Sequence, residues 1–117
     1  MEYKVFNPDY LENVTGGDRG IKDEIVAIFR DQIPEFVAEM RVLNEKKQYY
    51  ELGLLAHKAK GSVTVMGMEE TSKMLKSFEL QAKEGIRPED YPGFIASFEA
   101  DSRLVMEEID HYLGKTH

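Results

Sequence analysis

The stretch LLAHKAKGSVTVMG, from Leu54 to Gly67, places His57, Lys58, Lys60 and Gly61 within five residues of one another. Imidazole titrates near pH 6.5 when unperturbed, so much of it is neutral and nucleophilic at neutral pH. A lysine three residues on lies about one helical turn away and reaches whatever becomes attached to the ring. Attack on phosphorus would add a charge of roughly −1.5 to −2, by analogy with other phosphorylated side chains, and the Lys60 ammonium would offset it. Gly61 costs a helix about 1 kcal/mol relative to alanine. Such a cost makes sense where another molecule must come close to His57. The spacing alone also leaves open a surface histidine with no special role, and a glycine that serves helix packing.

Helical phase decides where these residues point. At about 100° per residue, Leu52, Leu55, Ala59, Val63 and Met66 share one arc, which we assign to the core. His57 falls almost opposite, towards water. Gly53, Gly61 and Thr64 lie along the same side, so that side is expected to be free of large side chains. The helix carrying them spans about Lys46 to Val65.

Three further helices are expected around it. The first runs from about Arg19 to about Leu43, capped by Asp18, with Ile25, Ile28, Phe29, Ile33, Phe36, Met40 and Leu43 as its apolar stripe. Pro34 interrupts this stripe without shifting its phase, which predicts a kink rather than two helices. Another begins near Met68 and stops at Gly85, with Met68, Ser72, Leu75, Phe78, Glu79 and Ala82 facing inward. The last runs from about Pro92 to Leu113, capped by Asp90, with Phe94, Ile95, Phe98, Val105, Ile109 and Tyr112 as its stripe. NPDYLENV reads as a short helical turn before them. No segment alternates with period two over strand length. The expected fold is all-α: an antiparallel four-helix up-down bundle with a short N-terminal helical turn, forming one domain over residues 1–117.

Composition narrows the function classes. The net charge of −7 argues against nucleic acid and against an anionic membrane surface as partners. No apolar run approaches the roughly 20 residues of a membrane span, and no secretory signal is visible at the start. Cysteine is absent, which excludes disulfides and thiolate metal sites and fits a cytoplasmic location. No phosphate-binding glycine loop occurs, so the chain should have no ATP-dependent kinase activity of its own. Glu108 and His111 have the E-x-x-H spacing of di-iron bundles, but no second pair exists, so His111 is read as a surface histidine. His117 is terminal. Lys58, Lys73, Lys76 and Lys83 are read as solvated faces.

AHKAKGSVTVMG resembles the histidine phosphotransfer (HPt) domain family, whose hallmark is a histidine followed by x-x-Lys-Gly and a small residue, with a further glycine where the helix ends. His57, Lys60, Gly61, Ser62 and Gly67 occupy those positions. The GGD before the first long helix, the proline midway along it, and Glu79 ahead of the KEG of Lys83 to Gly85 also sit where the family has them. The resemblance covers nearly the whole chain. It implies a four-helix bundle that carries phosphoryl groups in a two-component phosphorelay. It further implies that His57 is the phosphoacceptor through Nε2, that Lys60 stabilises the phosphoryl group, that Gly61 gives a partner room, and that Glu79 orients the other ring nitrogen. The implied partners are receiver domains of response regulators or of a hybrid sensor histidine kinase. Mg²⁺ is expected on the receiver, with no cofactor on this chain, and a monomer is expected. Val63 and Met68 depart from the family pattern, the latter with an expected effect on the docking surface. The alternative is a helical adaptor of the same fold that binds partners without phosphorylation.

Overall fold

The computed structural model of the chain describes residues 3–115. Five α-helices and one 3₁₀ turn carry the fold: α1 (Pro8–Thr15), α2 (Arg19–Glu45), α3 (Tyr49–Val65), α4 (Glu69–Glu84), the 3₁₀ turn Pro88–Asp90, and α5 (Tyr91–Lys115). No strand occurs among the described residues. The bundle is elongated, 45 × 23 × 19 Å. Helix α2 packs on α3, α3 on α4, α4 on α5, and α5 returns to α2. The α3–α4 seam and the α2–α5 seam therefore lie on opposite sides of the bundle.

Local chemistry sets the ends of these helices. The Asn7 side chain accepts from the Asp9 N–H at 3.1 Å to open α1, and Asp18 accepts from the Ile21 N–H at 2.9 Å to open α2. Each satisfies a backbone donor that the helix leaves unpaired. Gly85, at φ 66°, ends α4 in the left-handed conformation. Asp90 does not cap the last helix from outside. It closes the 3₁₀ turn that leads straight into α5 at Tyr91.

Gly67 turns α3 into α4 at φ 68°. A Cβ there would meet the Asn7 backbone oxygen at 2.7 Å. Only glycine lets the start of α1 lie on this turn, where the Asn7 N–H donates to the Met66 carbonyl at 3.1 Å.

The core collects one face of each long helix. Met40, Leu52, Ala56, Ala59, Val63, Leu75, Phe78, Phe98, Val105 and Ile109 are fully buried. Phe78 stacks on Phe94 with ring centroids 5.1 Å apart. The Tyr91 hydroxyl donates to the Gln81 and Ile86 carbonyls at 2.8 and 2.5 Å, pinning the start of α5 to the end of α4. Helix α2 continues through Pro34 as one helix, with Pro34 on its exposed face.

Two features depart from the periodic reading. Ile28 is 56% exposed rather than in the core, while Val26, Val37 and Lys22 of the same helix are buried. The buried stripe of α2 keeps Phe29, Ile33, Phe36 and Met40 but runs through Lys22 and Val26 rather than Ile25 and Ile28 at its N-terminal end. Lys22 is buried because its ammonium pairs with Glu12 and lies 5.5 Å from the Tyr112 ring centroid. Met68 faces inward as its phase predicts: it is 1% exposed and adds nothing to a docking surface, against the expectation drawn from the resemblance.

Candidate functional site

His57 projects from the middle of α3 with its side chain 61% exposed. Its Nδ1 lies 3.0 Å from Oε1 of Glu79 on α4. Glu79 is buried, and its second oxygen accepts from the Lys83 ammonium at 2.8 Å. Burial alone would raise the Glu79 pKa. The hydrogen bonds from Lys83 and His57, with the charges of His57 and Lys76, outweigh it and hold the carboxyl at about 2. Glu79 is therefore ionised at neutral pH.

That ionisation fixes the imidazole. A carboxylate only accepts hydrogen bonds, so Nδ1 must be the donor. In the neutral ring the proton then resides on Nδ1, and Nε2 keeps its lone pair. No described residue hydrogen-bonds Nε2. The result is an exposed nucleophilic nitrogen on a ring whose other nitrogen is held by a buried anion.

The surroundings of His57 differ on its two sides. Towards the C-terminus of α3, Gly61 is exposed, and a Cβ there would meet nothing within 4 Å. Lys60 is half-buried and its ammonium makes no salt bridge among the described residues. Thr64 donates to the Lys60 carbonyl at 2.8 Å and lies 3.3 Å from the Ser72 hydroxyl. Beside Gly61 a groove of about 310 Å³ opens between α2 and α3, lined by Ile25, Ile28, Phe29, Lys58, Gly61 and Ser62. This is where the exposed Ile28 side chain goes.

Towards the N-terminus of α3 the expectation of an open side fails at Gly53. A Cβ on Gly53 would lie 2.7 Å from Lys83 Cγ, 2.9 Å from the Lys83 nitrogen and 3.0 Å from the Glu79 carbonyl oxygen. Gly53 is buried and lets α3 and α4 touch backbone to backbone. That contact brings Glu79 within reach of His57.

Lys83 departs from the expected solvated face as well. It is half-buried and bound to Glu79 rather than part of a solvated face. The Glu79–Lys83 spacing of i, i+4 is a sequence signal for this pair. Lys58, Lys73 and Lys76 are exposed as expected, with Lys73 paired to Glu70.

The other histidine on a long helix serves a different end. His111 is half-buried, its Nδ1 3.0 Å from the Tyr3 hydroxyl, so it is not a free surface histidine. Glu108 accepts from the backbone N–H groups of Lys4, Val5 and Phe6 at 2.6, 3.0 and 3.0 Å. No group of three or more potential metal ligands occurs among the described residues, nor is any of their helices long and apolar enough to cross a membrane. His117 lies outside the described residues.

Comparison with family models, curated proteins and solved structures returns no match for the chain.

Proposed function

We propose that the chain is a histidine phosphotransfer protein that accepts a phosphoryl group on His57 and passes it to a second receiver. One observation carries this reading: an exposed imidazole whose Nδ1 is held by the buried, ionised Glu79 carboxylate, leaving Nε2 open.

The chemistry follows from that geometry. The Nε2 lone pair attacks the phosphorus of an aspartyl phosphate on a receiver domain. The N–P bond forms as the bond to the aspartyl oxygen breaks, and the aspartate leaves as a carboxylate. The ring keeps its Nδ1 proton and becomes cationic, facing the Glu79 anion. Glu79 thus orients the nucleophile and stabilises the charge that develops on it. Lys60, one turn on, offsets the charge of the arriving phosphoryl group. Gly61 and the adjoining apolar groove admit the receiver. In-line phosphoryl transfer also needs charge neutralisation at the donor, which the receiver supplies with its own Mg²⁺.

The test is incubation of the chain with a phosphorylated receiver, followed by assay for acid-labile, base-stable phosphate. Label should appear on His57 and should leave when excess unphosphorylated receiver is added. ATP and Mg²⁺ alone should give none. Self-labelling from ATP would overturn the carrier reading. Failure of the folded protein with every phosphorylated receiver of its source would leave a helical adaptor of the same fold.

A further inference from the structure

Across the bundle from His57, between α2 and α5, lies a second groove of about 420 Å³, lined in part by Ile33, Pro34, Val37, Ser102, Arg103 and Met106. Its size falls within the range of small-molecule sites, which are mostly apolar with a few placed polar groups. Three features point to an occupant.

The first is Ser102. It is 1% exposed and lines the groove, yet its hydroxyl has no hydrogen-bond partner among the described residues. Buried hydroxyls are almost always paired, because an unmade bond costs more than a made one returns. The second is Pro34. It lines the groove, and its ring adds apolar surface on the α2 wall for a ligand's body. The third is charge at the rim. Arg30 and Arg103 both line the groove with Glu99, and Arg30 is committed to an ion pair with Asp110. Glu99 is held by Arg41 at 2.9 Å, whereas Arg103 reaches it only at 3.5 Å and is 79% exposed. Arg103 is free to turn onto another anion.

We infer that this α2–α5 groove binds a small amphipathic carboxylate. Its apolar body would lie on Ile33, Val37 and Met106, one carboxylate oxygen on Arg103 and the other on Ser102 Oγ. The site is independent of the phosphotransfer reading, since it uses neither His57 nor its seam.

The experiment is a ¹H–¹⁵N NMR titration of the full chain with decanoate, below its micelle concentration. Decyltrimethylammonium serves as the chain of opposite charge. Saturable shifts should cluster at Val37, Ser102, Arg103 and Met106. Arg103→Ala should weaken decanoate binding at least 5-fold, and Val37→Trp, which fills the groove, should abolish it. Ser102→Ala reports on the free protein as well. Loss of an unpaired buried hydroxyl should raise Tm by a few degrees (about 4 °C per kcal/mol for a domain of this size) while weakening decanoate. The inference fails if decanoate gives no saturable shifts or if the ammonium binds as well. It also fails if shifts spread over the exposed Val14, Leu54 and Leu80, or if Ser102→Ala lowers Tm.

Discussion

The chain sets a buried glutamate near a histidine twice, with opposite results. At the α3–α4 seam, Glu79 spends its oxygens on two side chains, His57 and Lys83. At the start of the chain, Glu108 spends its oxygens on three backbone N–H groups, and the neighbouring His111 turns to Tyr3. Both carboxyls titrate below the ordinary value. In each, burial would raise the pKa and is outweighed, by cationic side chains at Glu79 and mainly by backbone donors at Glu108. The lesson lies in what is left over. Glu79 leaves an imidazole nitrogen facing water. Glu108 leaves nothing: it is an anchor that fixes the Tyr3–Phe6 segment over the end of α5. A carboxylate and a histidine one turn apart in sequence make no site when the backbone consumes the carboxylate, while a pair 22 residues apart on two helices makes one.

The sharpest contrast comes from the two histidines. His57→Gln should reduce receiver-dependent phosphate uptake to background, because no other described residue offers a nitrogen in that place. His111→Gln should leave uptake unchanged. Circular dichroism should report the same helix content for both. Residual acid-labile phosphate on the His57 variant would break the comparison at its functional end.

Next in size is the anchor itself. Glu108→Ala removes the acceptor for three N–H groups, two of them in a partly buried and one in a buried setting. Bonds to a charged acceptor are the stronger kind, and the donors lose their partner at once. Denaturant unfolding should show a loss of about 4 kcal/mol, with phosphate uptake per folded molecule unchanged. A loss under about 1 kcal/mol would mean that water replaces Glu108 readily and that the anchor is weak.

Acid should affect both regions through the same sign. The Glu79 pKa falls from an ordinary 4.5 to about 2 on folding. The unfolded chain therefore binds the proton more readily, and the stabilisation is complete above the unfolded value. It is lost as pH falls from about 4.5 towards 2. One pKa unit corresponds to about 1.4 kcal/mol, so Glu79 contributes up to roughly 3 kcal/mol of this acid sensitivity. Glu79→Gln should flatten the fall of stability in that window. Glu108→Gln should flatten it too, since its folded pKa is also lowered. An unchanged slope in the Glu79 variant would show that the carboxyl is not held ionised.

Much of this was legible in the sequence. Period-3.6 stripes located four long helices, and the phase of α3 separated Leu52, Leu55, Ala59 and Val63 from His57, as burial bears out. What stayed hidden has physical reasons. Phase puts Gly53 on an open side because it gives direction but not the distance to the next helix. Periodicity puts Ile28 in the core, but a 27-residue helix outruns the face that its neighbours cover. The Glu108 anchor has no local signature, since its donors lie more than 100 positions away and are backbone groups that any residue carries.

The finest test compares the two glycines that flank His57 at four residues on either side. Gly53→Ala puts a methyl group 2.9 and 3.0 Å from α4 backbone atoms, which cannot move as a side chain tip can. Helices α3 and α4 must separate, at a cost of about 1 to 3 kcal/mol typical of overpacking. The same separation pulls Glu79 from His57, so phosphate uptake should slow with the loss of stability. Gly61→Ala meets nothing within 4 Å. It should stabilise α3 by up to about 1 kcal/mol, because alanine loses less backbone entropy in a helix than glycine does. Yet the added methyl sits on the side where a receiver must approach, so uptake should slow while Tm rises. Stability and transfer should thus fall together at Gly53 and move apart at Gly61. If Gly61→Ala raised Tm with no effect on transfer, the glycine would not serve access, and a bulkier Gly61→Gln would decide whether any receiver passes that way.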